Sequence, residues 1–235
     1  MHRYRLDDGT VLSLQEPAAP RPATESALAV LFDGRPMIEE GVPDTIRSLQ
    51  EGAVVGPLTT VYVESIEGAT TRGPTRVASL TDAVVLDRFV ATLQRFLADS
   101  SGISQDRTQR VVLGHSVGGN AALHIACRRP DLFGAVATGS AALWWPGDDV
   151  QMPGSDVVDE VLASTGLRLW MQAGSTELPD LLPRNRELWE GAEAAGLDLV
   201  HLEHPGGHEL SAWRSGLEQA LPHLLGLGPN GREWA

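Results

Sequence analysis

The chain has 235 residues, 42% of them hydrophobic, and a formal net charge of −13 at pH 7. That length supports one large domain with a substantial core, and the composition argues against disorder. The acidity disfavours nucleic acid and anionic membranes as partners, and no apolar run is long enough to span a membrane.

Met1 to Asp8 carry no apolar signal-peptide core. Cys127 is the only cysteine, so no internal disulfide can form, which fits a cytoplasmic setting. Residues 3–14 read as a hairpin around Asp7-Asp8-Gly9, followed by a proline-rich connector from Pro17 to Pro22. Residues 1–26 are too few for a domain of their own, so a single domain over 1–235 is expected. Ala27 to Phe32 is a continuous apolar run, the mark of a strand buried on both faces. Asp33-Gly34-Arg35-Pro36 leaves its end and opens toward a helix around residues 43–50. Thr59 to Ile66 is a second strand, and Glu67 to Ser79 reads as a polar loop carrying Arg72 and Arg76. Leu86, Phe89, Val90, Leu93 and Leu97 then recur at helical spacing, with Ser79 or Thr81 as the cap.

A short β-branched run, Val111-Val112-Leu113, ends in Gly114-His115-Ser116-Val117-Gly118-Gly119, and a helical pattern follows as far as Pro130. This is strand, sharp turn, helix, with a serine at the apex. Gly114 and Gly118 avoid side-chain collision across the turn. Beyond it, Phe133–Thr138, Leu167–Gln172 and Leu197–Leu202 are predicted strands, with helices over residues 184–195 and 213–225. Residues 144–165, which begin Trp144-Trp145, read as a loop-like segment covering the site. The alternation predicts an α/β domain with a mostly parallel sheet, which binds ligands at the carboxyl ends of its strands.

A serine hydroxyl needs a general base, usually a histidine oriented by an acid. Of seven histidines, only His208 lies in a glycine-bearing loop between the last strand and the last helix. His115 adjoins Ser116, but its side chain should diverge from it, and His124 should pack within its helix. His201, His204 and His208 lack the nearby cysteine or acidic set that a metal site would need. Glu177 follows the strand after the serine and is favoured as the acid, with Asp180 as the alternative. The order serine, acid, histidine is that of the α/β-hydrolase fold. The oxyanion donors are the N–H of Val117 and an N–H at Gly34 or Arg35. The chemistry requires no metal or organic cofactor.

The chain resembles the enterochelin (enterobactin) esterase branch of the esterase D-like α/β-hydrolases, in its compact single-domain form. The resemblance rests on Leu31-Phe32-Asp33-Gly34, Arg76-Val77-Ala78-Ser79-Leu80, Arg107 to Gly119, Pro130 to Gly134 with Trp144-Trp145, and Gly206-Gly207-His208-Glu209 with Trp213-Arg214. It implies hydrolysis of a catecholate siderophore trilactone, iron-loaded or not, or of its linear fragments. By matching position it makes Ser116 the nucleophile, His208 the base and Glu177 the acid. It also places Arg76 near the oxyanion or an anionic ligand. Arg35 and Arg72 should join Arg76 at the mouth, with Trp144, Trp145 and Trp213 as flat faces for aromatic rings. The competing readings are a thioesterase or acyltransferase of natural-product metabolism and a catalytically silent binding module.

Overall fold

Leu28, Val30 and Phe32 point into one apolar cluster and Ala27, Ala29 and Leu31 into another, so this strand is buried on both faces. A computed structural model of the chain describes residues 1–18, 25–69, 74–100, 102–143 and 157–225. Among these, β1 (His2–Arg5), β2 (Val11–Gln15), β3 (Ala27–Phe32), β4 (Leu58–Ser65), β5 (Arg110–His115), β6 (Ala135–Gly139), β7 (Arg168–Gly174) and β8 (Asp198–His204) form one sheet. Its order is β1-β2-β4-β3-β5-β6-β7-β8. From β4 to β8 every pairing is parallel.

The helices are α1 (Gly34–Glu39), α2 (Val42–Glu51), α3 (Pro74–Thr81), α4 (Ala83–Ala98), α5 (Val117–Arg128), α6 (Val157–Leu162), α7 (Leu181–Ala194) and α8 (Leu210–Leu224). Buried residues of α4 to α7 pack on one face of the sheet, while those of α1, α2 and α8 pack on the other. This is the α/β-hydrolase fold, in which parallel strands need crossover helices and are covered on both sides.

The expected N-terminal hairpin forms, β1 pairing antiparallel with β2, and it joins the main sheet, because β2 also pairs antiparallel with β4 and is buried along its length. Two local readings are corrected. The end of the expected polar loop is helical: Pro74 opens α3, where its fixed φ suits a first helical residue, and Leu80 is buried. The cap of α4 is neither Ser79 nor Thr81 but Asp82, whose Oδ1 accepts from the N–H groups of Val84 (2.8 Å) and Val85 (3.2 Å). Within the expected covering segment, residues 157–162 form α6, which packs on α5 and α7 with Val157 and Val161 buried. Residues 144–156 lie outside the described residues.

Candidate active site

β5 ends in the turn expected around Ser116, which has φ 56° and ψ −123°. A non-glycine residue held there is strained, so the surroundings must fix it. The Ser116 N–H donates to the Gly139 carbonyl (2.8 Å), and the Ser116 carbonyl accepts from Gly119 and Ala142 (both 3.0 Å). A Cβ on Gly114 would collide with the Gly118 carbonyl, so the turn closes only around glycine. Ser116 is the N-cap of α5, whose first N–H groups have no intrahelical acceptor.

The loops after β7 and β8 are zipped together. The Ser175 N–H donates to the His204 carbonyl and the Thr176 N–H to the Gly206 carbonyl, each at 2.8 Å. This brings His208 Nδ1 to 2.8 Å from Glu177 Oε2. A carboxylate only accepts, so Nδ1 carries the proton and Nε2 is left as the basic nitrogen. The other Glu177 oxygen, Oε1, accepts from the Ser140 hydroxyl and from the Gly174 N–H (3.3 Å). The Glu177 side chain is 1% exposed and that of His208 27%. Burial would raise the Glu177 pKa, but hydrogen bonds from Ser140 and His208, with the charge of His208, outweigh it and hold the carboxyl below its ordinary range. Asp180 is instead exposed at the start of α7.

His115 lies against the base. Its ring is buried, 4.5 Å from that of His208 at a 55° tilt. A Cβ on Gly139 would meet both His115 and Trp213, so the three pack together. Burial first, then the neighbouring charges of His208, Arg76 and His204, lowers the His115 pKa to about 3.

The Gly34 and Arg35 N–H groups, at the start of α1, have no hydrogen-bond partner among the described residues. Gly34 must be glycine, since a Cβ would lie 2.7 Å from the Tyr62 backbone. The Arg35 side chain is exposed and paired with Glu39 (3.1 Å). Arg76 is paired too, its Nε 2.6 Å from Asp33 Oδ1 and its Nη2 2.5 Å from Oδ2. Its charge is therefore compensated by Asp33. Trp213 is 1% exposed and belongs to the core beneath the site, so it offers no open face for a ligand ring. Arg72, Trp144 and Trp145 lie outside the described residues. His201 stacks on Trp189 and meets Glu193 (2.9 Å), while His204 Nδ1 meets the Pro205 carbonyl (3.1 Å). Burial pushes the Cys127 thiol up to about 12, which leaves it inert.

Sequence reasoning missed two residues. Ser140 buttresses the acid across 37 positions, and Asp33 holds Arg76 across 43, separations that no local pattern reveals.

A family model described as "Putative esterase" matches residues 79–224, which contain the elbow, Glu177 and His208. The chain belongs to this esterase family. The chain is 30% identical over 210 residues to the iron(III) enterobactin esterase of Escherichia coli K12, covering 86% of this chain and 50% of that protein. It spans about half the length of the curated enterobactin esterases it matches. The fold of an enterobactin esterase from Shigella flexneri, crystallised in the presence of enterobactin, superposes with a TM-score of 0.80 at 23% identity, over 95% of this chain and 57% of that one. A ferulic acid esterase superposes at 0.72 and 18% identity, over 95% of this chain and 96% of that one. These likenesses show the α/β-hydrolase fold.

Proposed function

We propose that the protein cleaves carboxylic esters through an acyl-enzyme on Ser116. The observation that carries this reading is the relay from Ser140 through Glu177 to His208, set against the strained Ser116 elbow. His208 Nε2 takes the Ser116 proton as Oγ attacks the ester carbonyl. Glu177 fixes the imidazole tautomer and stabilises the imidazolium. The oxyanion forms against the Val117 N–H and an N–H at Gly34 or Arg35, in a turn that costs no reorganisation when the charge develops. His208 then returns its proton to the departing alcohol, and water repeats the sequence to free the acid and Ser116.

The substrate we propose is a catecholate siderophore trilactone or its linear fragments, iron-loaded or not, met in the cytoplasm. Similarity to proteins named for iron(III) enterobactin supports this assignment. Local charge does not add to it, since Arg35 and Arg76 are each paired with a carboxylate. Among the described residues no helix is long and apolar enough to cross a membrane.

Turnover of a trilactone siderophore, a simple aryl ester and an acyl thioester, followed by mass spectrometry, tests both levels. The expected result is a kcat/KM for the trilactone above that for the other two. Cleavage of the aryl ester without any of the trilactone would overturn the substrate and leave the serine esterase reading. Faster turnover of the thioester, with transfer to an added alcohol or amine, would favour the acyltransferase reading.

A further inference from the structure

Asp33 stands immediately before α1, in the left-handed region at φ 58° and ψ 39°. An aspartate at a helix start ordinarily turns its carboxylate onto the free N–H groups of the first turn. Asp33 makes no such bond. Its carboxylate faces the other way, held side-on by Arg76 through two hydrogen bonds of 2.6 and 2.5 Å. The side chains are 10% and 19% exposed, so solvent screens them poorly.

The carboxylate also lies against the nucleophile elbow. A Cβ on Gly118 would come within 2.6 Å of Asp33 Oδ2, so the glycine leaves the carboxylate its place. Gly118 follows Val117, whose N–H is the proposed oxyanion donor. An anion thus sits beside the point where a second negative charge must form.

We propose that Arg76 is a positioning residue acting through Asp33: it neutralises this carboxylate and holds it off the backbone donors that receive the oxyanion. The inference rests on the oxyanion-hole assignment above. Without Arg76 the carboxylate would repel the forming charge, or turn back onto the Gly34 and Arg35 N–H groups and occupy them. Either change acts on the transition state and leaves the neutral ester's binding almost untouched. With Phe32, Val63, Ile66 and Leu80, Asp33 and Arg76 line a partly open pocket.

The test uses the full chain and p-nitrophenyl butyrate, a small neutral ester, with melting curves to establish folding. Arg76→Gln should lower kcat about 100-fold, the scale of a lost oxyanion donor, with KM changed less than about threefold. Adding Asp33→Asn to Arg76→Gln should restore most of that loss, because the uncompensated anion is then gone. Should Arg76→Gln fail to fold, the near-isosteric Asp33→Asn decides alone, and should retain more than about a tenth of the wild-type kcat. A double variant no faster than Arg76→Gln would overturn the proposal, since it would make the pair a plain structural brace. So would an Asp33→Asn variant as slow as Arg76→Gln, or an Arg76→Gln effect confined to KM. These outcomes are separate from failure of the esterase reading, which would appear as undiminished turnover by Ser116→Ala.

Discussion

Glu177 reaches His208 with one carboxylate oxygen at 2.8 Å and gives the other to Ser140 and the Gly174 N–H. Both oxygens are filled, as a nearly inaccessible carboxylate requires. Glu177→Gln keeps the shape and loses the charge, so the imidazole is no longer fixed in one tautomer. We expect kcat to fall about 10³-fold, less than on loss of the nucleophile. Wild-type turnover by this variant would remove Glu177 from the relay.

Ser140→Ala tests the far side of the same carboxylate. Losing a hydrogen bond to a buried charge should cost about 1.5–3 kcal/mol of stability at neutral pH. The Glu177 pKa is held below its ordinary value, so the stability it contributes is full above that value. It is lost as pH falls through the lower, folded value. The gap between wild type and Ser140→Ala in urea unfolding should therefore shrink from pH 7 towards pH 3. A gap independent of pH would mean that Ser140 serves packing alone.

Ser116→Ala should reduce kcat by several orders of magnitude, about 10⁶-fold in comparable triads, leaving only what the oxyanion donors and binding supply. A fluorophosphonate should label Ser116, and peptide mass spectrometry locates the adduct. Labelling elsewhere, with Ser116 unmodified, would refute the nucleophile assignment.

The elbow was legible because its constraint is local. Gly114, Ser116 and Gly118 fall within one turn, and the strand and helix beside it have distinct periodicities. His208 and Glu177 were legible from topology, since both follow parallel strands whose carboxyl ends share one edge of the sheet. Arg76 is legible as a candidate near the oxyanion or an anionic ligand, but its pairing is not, because its partner Asp33 lies 43 positions away. Trp213 carried the same difficulty. A tryptophan five residues beyond the histidine could face the cleft or the core, and close packing against Gly139 and His115 decides for the core. The antiparallel pairing of β2 with β4 joins segments about fifty residues apart, which alternation within either strand cannot disclose.

His115 gives the chain a distinct acid response. Burial and nearby positive charge hold its folded pKa at about 3, against 6.5 for an ordinary histidine. Between these values the unfolded chain takes up a proton that the folded protein refuses. The neutral ring's contribution is therefore full above pH 6.5 and declines as pH falls towards 3. One proton limits the slope to about 1.4 kcal/mol per pH unit. His115→Phe keeps a flat ring beside His208 and cannot titrate, so its stability should fall less between pH 7.5 and pH 4.5. Denaturant midpoints at several pH values measure this. Equal slopes in the two proteins would contradict a buried neutral His115.

Gly174 provides a test of how the acid and base loops hold one another. It ends β7, three residues before Glu177, and its N–H contributes to the Oε1 cluster. A Cβ there would collide with the carbonyl of Gly206 and lie 2.5 Å from that of Gly207. Both obstacles are backbone, so a side chain cannot be accommodated by a change of rotamer. The Gly206–Gly207 segment would have to move, and it leads directly into His208. Gly174→Ala should therefore shift the imidazole relative to Glu177 and Ser116. Misplacement of about 1 Å at a reacting group can cost about 100-fold in rate. The loss should fall in kcat for every ester tried, because the base serves each of them alike. The other loops of the site do not depend on this contact, so KM for a small aryl ester should change little. Steady-state kinetics on two unrelated esters, with melting curves to confirm folding, make the measurement. A folded Gly174→Ala protein with wild-type kcat would mean that the β7 and β8 loops are not coupled as their close approach implies.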